Sequence, residues 1–306
     1  MRQVVCEALV ARAENPDMVF LTGDLGFMAL EPLQVKLGER FINCGVAEQN
    51  MLTVAAALAK EKLEVWVYTI APFCYARAFE QIRNDVCMHG LPVKMLCNGG
   101  GYGYGVMGST HHALEDYGIL STLHGLQIFT PAALTDIPAV ISLAGNLDRP
   151  CYIRLGRDER PKTLSLPAFA TWRHLMSGDG PIVISLGPIS GPVYQALSEM
   201  RDIAAQLWII SELPVVAEHI PSDLKRAISS SGRLCIIEEH VKHGGLGSMM
   251  SQWLVEAGIG LTAFRHLYAG SRHTVLAGSQ GYLRLQNGMG HTSIQDAVRA
   301  VSGREG

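Results

Sequence analysis

Short apolar runs, each bounded by Gly or Pro and each followed by a stretch of helical periodicity, recur along this chain and constrain its fold more than any other feature. The runs at 18–22, 65–70, 93–97, 126–130 and 151–155 are expected strands, and those at 182–186, 207–210 and 234–238 continue the series. Uninterrupted apolar runs of strand length suit strands buried on both faces, hence a parallel sheet wrapped by helices. Between them Met51, Leu52, Val54, Ala55 and Leu58 fall on one helix face. The rhythm pauses at 157–180, where Arg160-Pro161 and Leu166-Pro167 break it and Ser177-Gly178-Asp179-Gly180 makes a turn. Two doubly wound α/β domains, 1–165 and 166–306, are the expected architecture. With 306 residues, 48% apolar and 17% charged, the chain has enough material for two such cores.

Several function classes drop out. A net charge of −3 with no basic run leaves no footprint for nucleic acid. Neither a signal-peptide core nor an apolar stretch of membrane-spanning length is expected. The seven cysteines are scattered, form no CxxC pair and mostly sit in apolar runs such as Val93-Lys94-Met95-Leu96-Cys97. A reducing cytoplasm, without disulfides or zinc, is the expected setting.

Four local patterns could carry chemistry. Asn43-Cys44-Gly45-Val46-Ala47-Glu48 reads as a strand end, a Gly turn and a helix with Glu48 in its first turn, where an acid also suits the helix dipole alone. Pro72 stands where a helix begins, and Phe73 beside it reads equally well as core. The run from Gly99 to His112 contains GxGxxG at Gly103, Gly105 and Gly108, but no helix opens at the third glycine. It reads instead as a long flexible loop that lets backbone approach a ligand, ending in His111 and His112, which point apart and do not share a metal. Arg157 lies just past a strand end, where open α/β sheets contact ligands and where surface arginines are also common.

Taken in order, Gly-Val-Ala-Glu-Gln-Asn-Met, Ala-Pro-Phe with Glu-Gln-Ile-Arg, Ser-Thr-His-His-Ala-Leu-Glu-Asp and Ile-Arg-Leu-Gly-Arg resemble transketolase and 1-deoxyxylulose-5-phosphate synthase. The likeness is closest to the small chain of split transketolases. It covers essentially the whole chain, from Thr22-Gly23-Asp24-Leu25 to Ile237-Glu238-Glu239-His240 and Gly244-Gly245-Leu246-Gly247-Ser248. The resemblance implies a pyrimidine-binding domain followed by a transketolase C-terminal-like domain. It implies thiamine diphosphate and Mg²⁺ as cofactors, and transfer of a two-carbon ketol unit between sugars.

The same resemblance implies roles. Thiamine chemistry needs an acid at N1′ of the pyrimidine so that the 4′-amino group can take the C2 proton, and Glu48 matches that acid. Phe73 matches the aromatic stacked on the pyrimidine, and Ile70 falls where a second aromatic is usual. His111 matches a histidine beside the reacting carbon. Arg157 matches a phosphate-contacting arginine, and Arg2 aligns with another. No metal ligand is implied in this chain.

Departures qualify the substrate. Met107, Gly99 and Met28 stand where the family has an aspartate, a histidine and a serine. These replacements lead to the expectation of a modified, unphosphorylated or nucleotide-linked sugar. The family's Gly-Asp-Gly with a downstream asparagine has no counterpart, because Gly178-Asp179-Gly180 precedes a strand in the second domain. Diphosphate and Mg²⁺ need hard oxygen ligands and helix amides. A separate diphosphate-binding subunit is therefore expected, in an α₂β₂-like assembly. Two rivals stay open: the β-subunit of a 2-oxoacid dehydrogenase E1 component, whose loop carries a His-Ser-Gln-type element, and a non-catalytic scaffold relative.

Overall fold

A computed structural model describes residues 1–270 and 276–303; positions 271–275 and 304–306 of the expected second domain lie outside the described residues. Strands β1 (Met18–Thr22), β2 (Phe41–Asn43), β3 (Glu64–Ile70), β4 (Lys94–Asn98), β5 (Gln127–Phe129) and β6 (Cys151–Leu155) build one sheet. Strands β7 (Trp172–Met176), β8 (Ile182–Leu186), β9 (Gln206–Ile210), β11 (Arg233–Glu238) and β12 (Ala263–Tyr268) build another. Between β9 and β11 the two-residue strand β10 (Glu212–Leu213) returns to the first sheet.

The first sheet runs β10-β5-β6-β4-β3-β1-β2 and the second β12-β11-β8-β9-β7. The fold is α/β, and the apolar runs are its central strands. β1, β6 and β8 are buried at every residue, as two-sided burial requires. The all-parallel expectation needs two corrections. β10 pairs antiparallel with β5, and β7 pairs antiparallel with β9, both at sheet edges, where a strand can arrive by a short return rather than a helical crossover.

The chain leaves β1 for β2 on one side and returns to β3 on the other, so the strand order reverses at β1. A crevice opens outside the carboxyl ends of strands at such a reversal. Ile70, Asn98 and Leu155 stand in one register row at that edge. Every loop carrying a candidate residue except Arg2 leaves from there.

The helix Glu48–Lys60 turns Met51, Leu52 and Ala55 into the core, with Val54 and Leu58 packed at its margin. Apolar packing is continuous between the sheets, joining Val67 and Met95 of the first to Ile184 and Ile236 of the second. Among the described residues no helix is long and apolar enough to cross a membrane.

Candidate active site

Glu48 is placed by the ends of β1 and β2. Asn43 closes β2 and locks it to the next loop: its side-chain oxygen accepts from the amides of Asp24 at 3.1 Å and Gly45 at 2.9 Å. Gly45 takes φ +69°, a turn that a side chain would strain, and the helix then opens at Glu48. The carboxylate is 1% exposed and lies under the β1 terminus, so that a Cβ at Gly23 would stand 3.6 Å from Oε1. Oε2 accepts from Nη1 of Arg77 at 2.6 Å. No described residue donates to Oε1.

Phe73 begins a wide helical turn, Phe73–Arg77, directly after β3 and Pro72. Widened turns of this kind re-aim side chains and recur at functional sites. Here the turn brings the Arg77 guanidinium 4.5 Å above the Phe73 ring. Tyr75 fixes it from behind, donating to Glu115 at 2.7 Å. His111 meets Phe73 edge-on, with ring centroids 5.1 Å apart and planes at 70°. Arg77, a residue that the sequence reading did not single out, thus links Glu48 to Phe73, and Phe73 in turn meets His111. Ile70 is buried at the end of β3.

A second group lies at the arginine end. Arg157 is exposed just past β6, and Arg2 begins the first helix. Both charges act on the Met1 amine, whose pKa burial and then Arg2 push below its ordinary value. The charge of Arg2 also acts on Tyr68, a phenol that burial, and then the charge of Tyr104, push well above its usual range. Arg2 and Arg157 are thus both within electrostatic reach of the Met1 amine.

The glycine run is packed rather than a long flexible loop, which corrects the sequence reading. Gly101 pairs with Ala113 in an antiparallel bridge, and Tyr102 is buried. The Tyr102 amide donates to Glu239 of the second sheet at 2.6 Å, and Glu239 is held in turn by Gln280 and Arg284. A Cβ at Gly101 would lie 2.4 Å from Oε1 of Glu239, so glycine is needed for this approach. Arg154, buried and bonded to Asp116 at 2.7 Å, donates to the carbonyls of Ala113 and Glu239 and ties the same loop down. His112 turns away from His111 onto Tyr102, and burial lowers its pKa. Met28 and Met107 are exposed. Among the described residues no group of three His, Cys, Asp or Glu is set to hold a metal ion.

Arg77 had a signal, since four residues on a helix place it beside Phe73. Glu239 had none, because 137 residues separate it from the amide it holds.

Residues 1–162 match the family described as transketolase, pyrimidine binding domain. The chain is 31% identical to a subunit of apulose-4-phosphate transketolase from Phocaeicola vulgatus, over 79% of each chain. It is 27% identical to the same-named protein of Actinobacillus succinogenes, over 99% of this chain and 98% of that one. A solved structure titled split gene transketolase, inactive beta4 tetramer, superposes with a TM-score of 0.82 at 29% identity, covering 98% of this chain and 97% of that one. With a buried acid, an aromatic face and a histidine gathered at the switch point of its first sheet, the chain belongs to the transketolase family.

Proposed function

We propose that this chain is the pyrimidine-binding subunit of a heteromeric, thiamine-diphosphate-dependent transketolase. It moves a two-carbon ketol unit between sugars together with a separate chain that holds the diphosphate and Mg²⁺. In this reading residues 1–165 bind the pyrimidine, and residues 166–306 form the C-terminal-like domain that braces the glycine loop. The two apulose-4-phosphate transketolase relatives, each named as one subunit of its enzyme, support a partner subunit, which this reading places in an α₂β₂-like assembly.

One observation carries the reading: a buried carboxylate and an aromatic face are presented together beside His111. The residues present fit an aminopyrimidine, because no described residue donates to Oε1 of Glu48 and Arg77 links that carboxylate to the aromatic ring of Phe73, which His111 meets edge-on. When bound, thiamine diphosphate supplies the carbanion equivalent that carries the ketol unit. Glu48 would hold a proton at the pyrimidine nitrogen. Phe73 orients the ring by stacking, with Ile70 as its aliphatic backing. His111 hydrogen-bonds the substrate oxygen next to the reacting carbon. Arg2 and Arg157 meet the far end of the sugar, where an anion would be drawn. Met28, Gly99 and Met107 in place of polar groups support a modified, unphosphorylated or nucleotide-linked sugar.

The test is reconstitution with the diphosphate-binding partner. Glu48→Gln should assemble normally and lose at least about a hundredfold in kcat, the scale of general acid–base catalysis. Retained turnover in that variant would overturn the reading.

A further inference from the structure

Tyr104 stands between the two groups of the site. Its ring centroid is 6.4 Å from that of His111, with the planes at 64°. It also acts electrostatically on Tyr68, a buried phenol on which the charge of Arg2 acts as well. Tyr104 thus neighbours His111 and lies within electrostatic reach of the phenol on which Arg2 acts.

The loop leaves it little freedom. The ring rests against the backbone at Gly99, where a Cβ would stand 2.1 Å from Cδ2 of Tyr104. A Cβ at Gly103 would meet Cα of Gly99 at 2.9 Å, and one at Gly105 would strike the carbonyl of Gly278 at 2.6 Å. The Gly278 amide also donates to the Gly105 carbonyl at 3.0 Å. Tyr104 is therefore a fixed part of the wall.

Its hydroxyl is half used. Nδ2 of Asn98 donates to the phenol oxygen at 2.7 Å. An oxygen that accepts in this way still has its own O–H to give, and no described residue accepts it. Asn98 ends β4 in the same row as Ile70 and Leu155, so the pair sits on the rim of the crevice.

We infer that Tyr104 is a substrate-binding residue. Its O–H donates to a chain oxygen of the ketose, beyond the carbonyl that faces His111 and short of the end that meets Arg2 and Arg157. The inference rests on the placement of the sugar under Proposed function. No bond is made or broken by Tyr104; it selects sugars that carry an oxygen at that depth, because a site built around a donor rejects ligands that leave it unpaired.

The assembled complex tests this with two donors. One is the best-used of D-xylulose, D-xylulose 5-phosphate and D-fructose 6-phosphate. The other is hydroxypyruvate, which has no hydroxylated chain beyond the transferred unit, only a carboxylate that leaves as carbon dioxide. Tyr104→Phe should lower kcat/KM for the ketose about tenfold, the scale of one hydrogen bond, and leave hydroxypyruvate within twofold. Calorimetry of the same ketose on the Glu48→Gln complex should show Kd rising by a similar factor when Tyr104→Phe is added. Asn98→Asp, whose carboxylate would capture the phenol proton, should reproduce the ketose-selective loss with the ring still present. Equal losses for both donors, or no loss for either, would overturn the proposal. A Glu48→Gln complex that still turned over either donor would instead overturn the functional reading beneath it.

Discussion

Arg77 and Glu48 form an ion pair, Nη1 to Oε2 at 2.6 Å, between a side chain 43% exposed and one 1% exposed. The same guanidinium lies 4.5 Å over Phe73. A planar cation over the aromatic ring uses one of the two contacts assigned above to an aminopyrimidine, while it takes Oε2 of Glu48 and leaves Oε1 open. In the isolated chain Arg77 therefore competes with that ring. A half-exposed ion pair and a cation–π contact together amount to about 1–2 kcal/mol. Arg77→Ala should strengthen binding of free thiamine to the isolated chain about tenfold, read by calorimetry. Weaker binding would mean that Arg77 holds the site open for the ring.

The Arg154–Asp116 pair is buried on both sides, at 5% and 0% exposure, and Asp116 also accepts from Tyr152 at 2.9 Å. Removing one partner strands a charge in the interior, which costs about 3–5 kcal/mol. Asp116→Ala should shift the urea unfolding midpoint by an amount of that size. Replacing both residues with apolar ones of similar volume should recover part of the loss.

At Gly101 a methyl group would press on Glu239, and the backbone there takes φ +66°. Gly101→Ala should destabilise the chain by about 1–3 kcal/mol through strain and lost contact. In the reconstituted complex it should also lower turnover more than it lowers assembly, since the loop it distorts carries His111. Size-exclusion chromatography and steady-state rates on the same sample separate the two effects.

Glu238 gives the fold an acid limb. Burial pushes its pKa up, but the hydrogen bond from His266, the charges of His240 and His266 and the Gly247 amide outweigh this and hold it below the ordinary 4.5. Tyr117 donates to it as well, at 2.5 Å. The unfolded chain therefore takes up a proton at higher pH than the native one. Stability from this group is complete above about pH 4.5 and is lost as pH falls through the lower folded value. Glu238→Gln should be less stable at neutral pH and should lose less on acidification from about pH 5 to 3, measured as urea midpoints.

Central strands were legible because two-sided burial writes an uninterrupted apolar run, as in Ile182–Leu186. Edges were not. β12 interleaves Phe264, Arg265 and His266 and carries no such run, and β2, three residues with two exposed, showed only as the strand end before the Gly45 turn. β10 has two residues and is recruited by a distant edge, which no local pattern announces. The site divides in the same way. Glu48, Phe73 and His111 were singled out through the resemblance to transketolase, whose motifs they match in order; taken alone they read as a helix-start acid, a core ring and a loop histidine. Arg77 reads in sequence as a solvated helix charge, and Tyr104 as one more residue in a glycine run. Their importance comes only from what the folded chain sets beside them.

The strand Glu212–Leu213 gives the first sheet its last rung, although it arrives from well beyond the matched family segment. A fragment ended at residue 162 would keep every residue assigned to catalysis, yet would present the amides and carbonyls of Gln127–Phe129 to any passing chain. Such raw borders recruit copies of themselves. Shortening the protein to its cofactor half would therefore turn a well-behaved sheet into a template for clumping, and an engineer wanting that half alone would have to graft the returning two-residue splint back onto it.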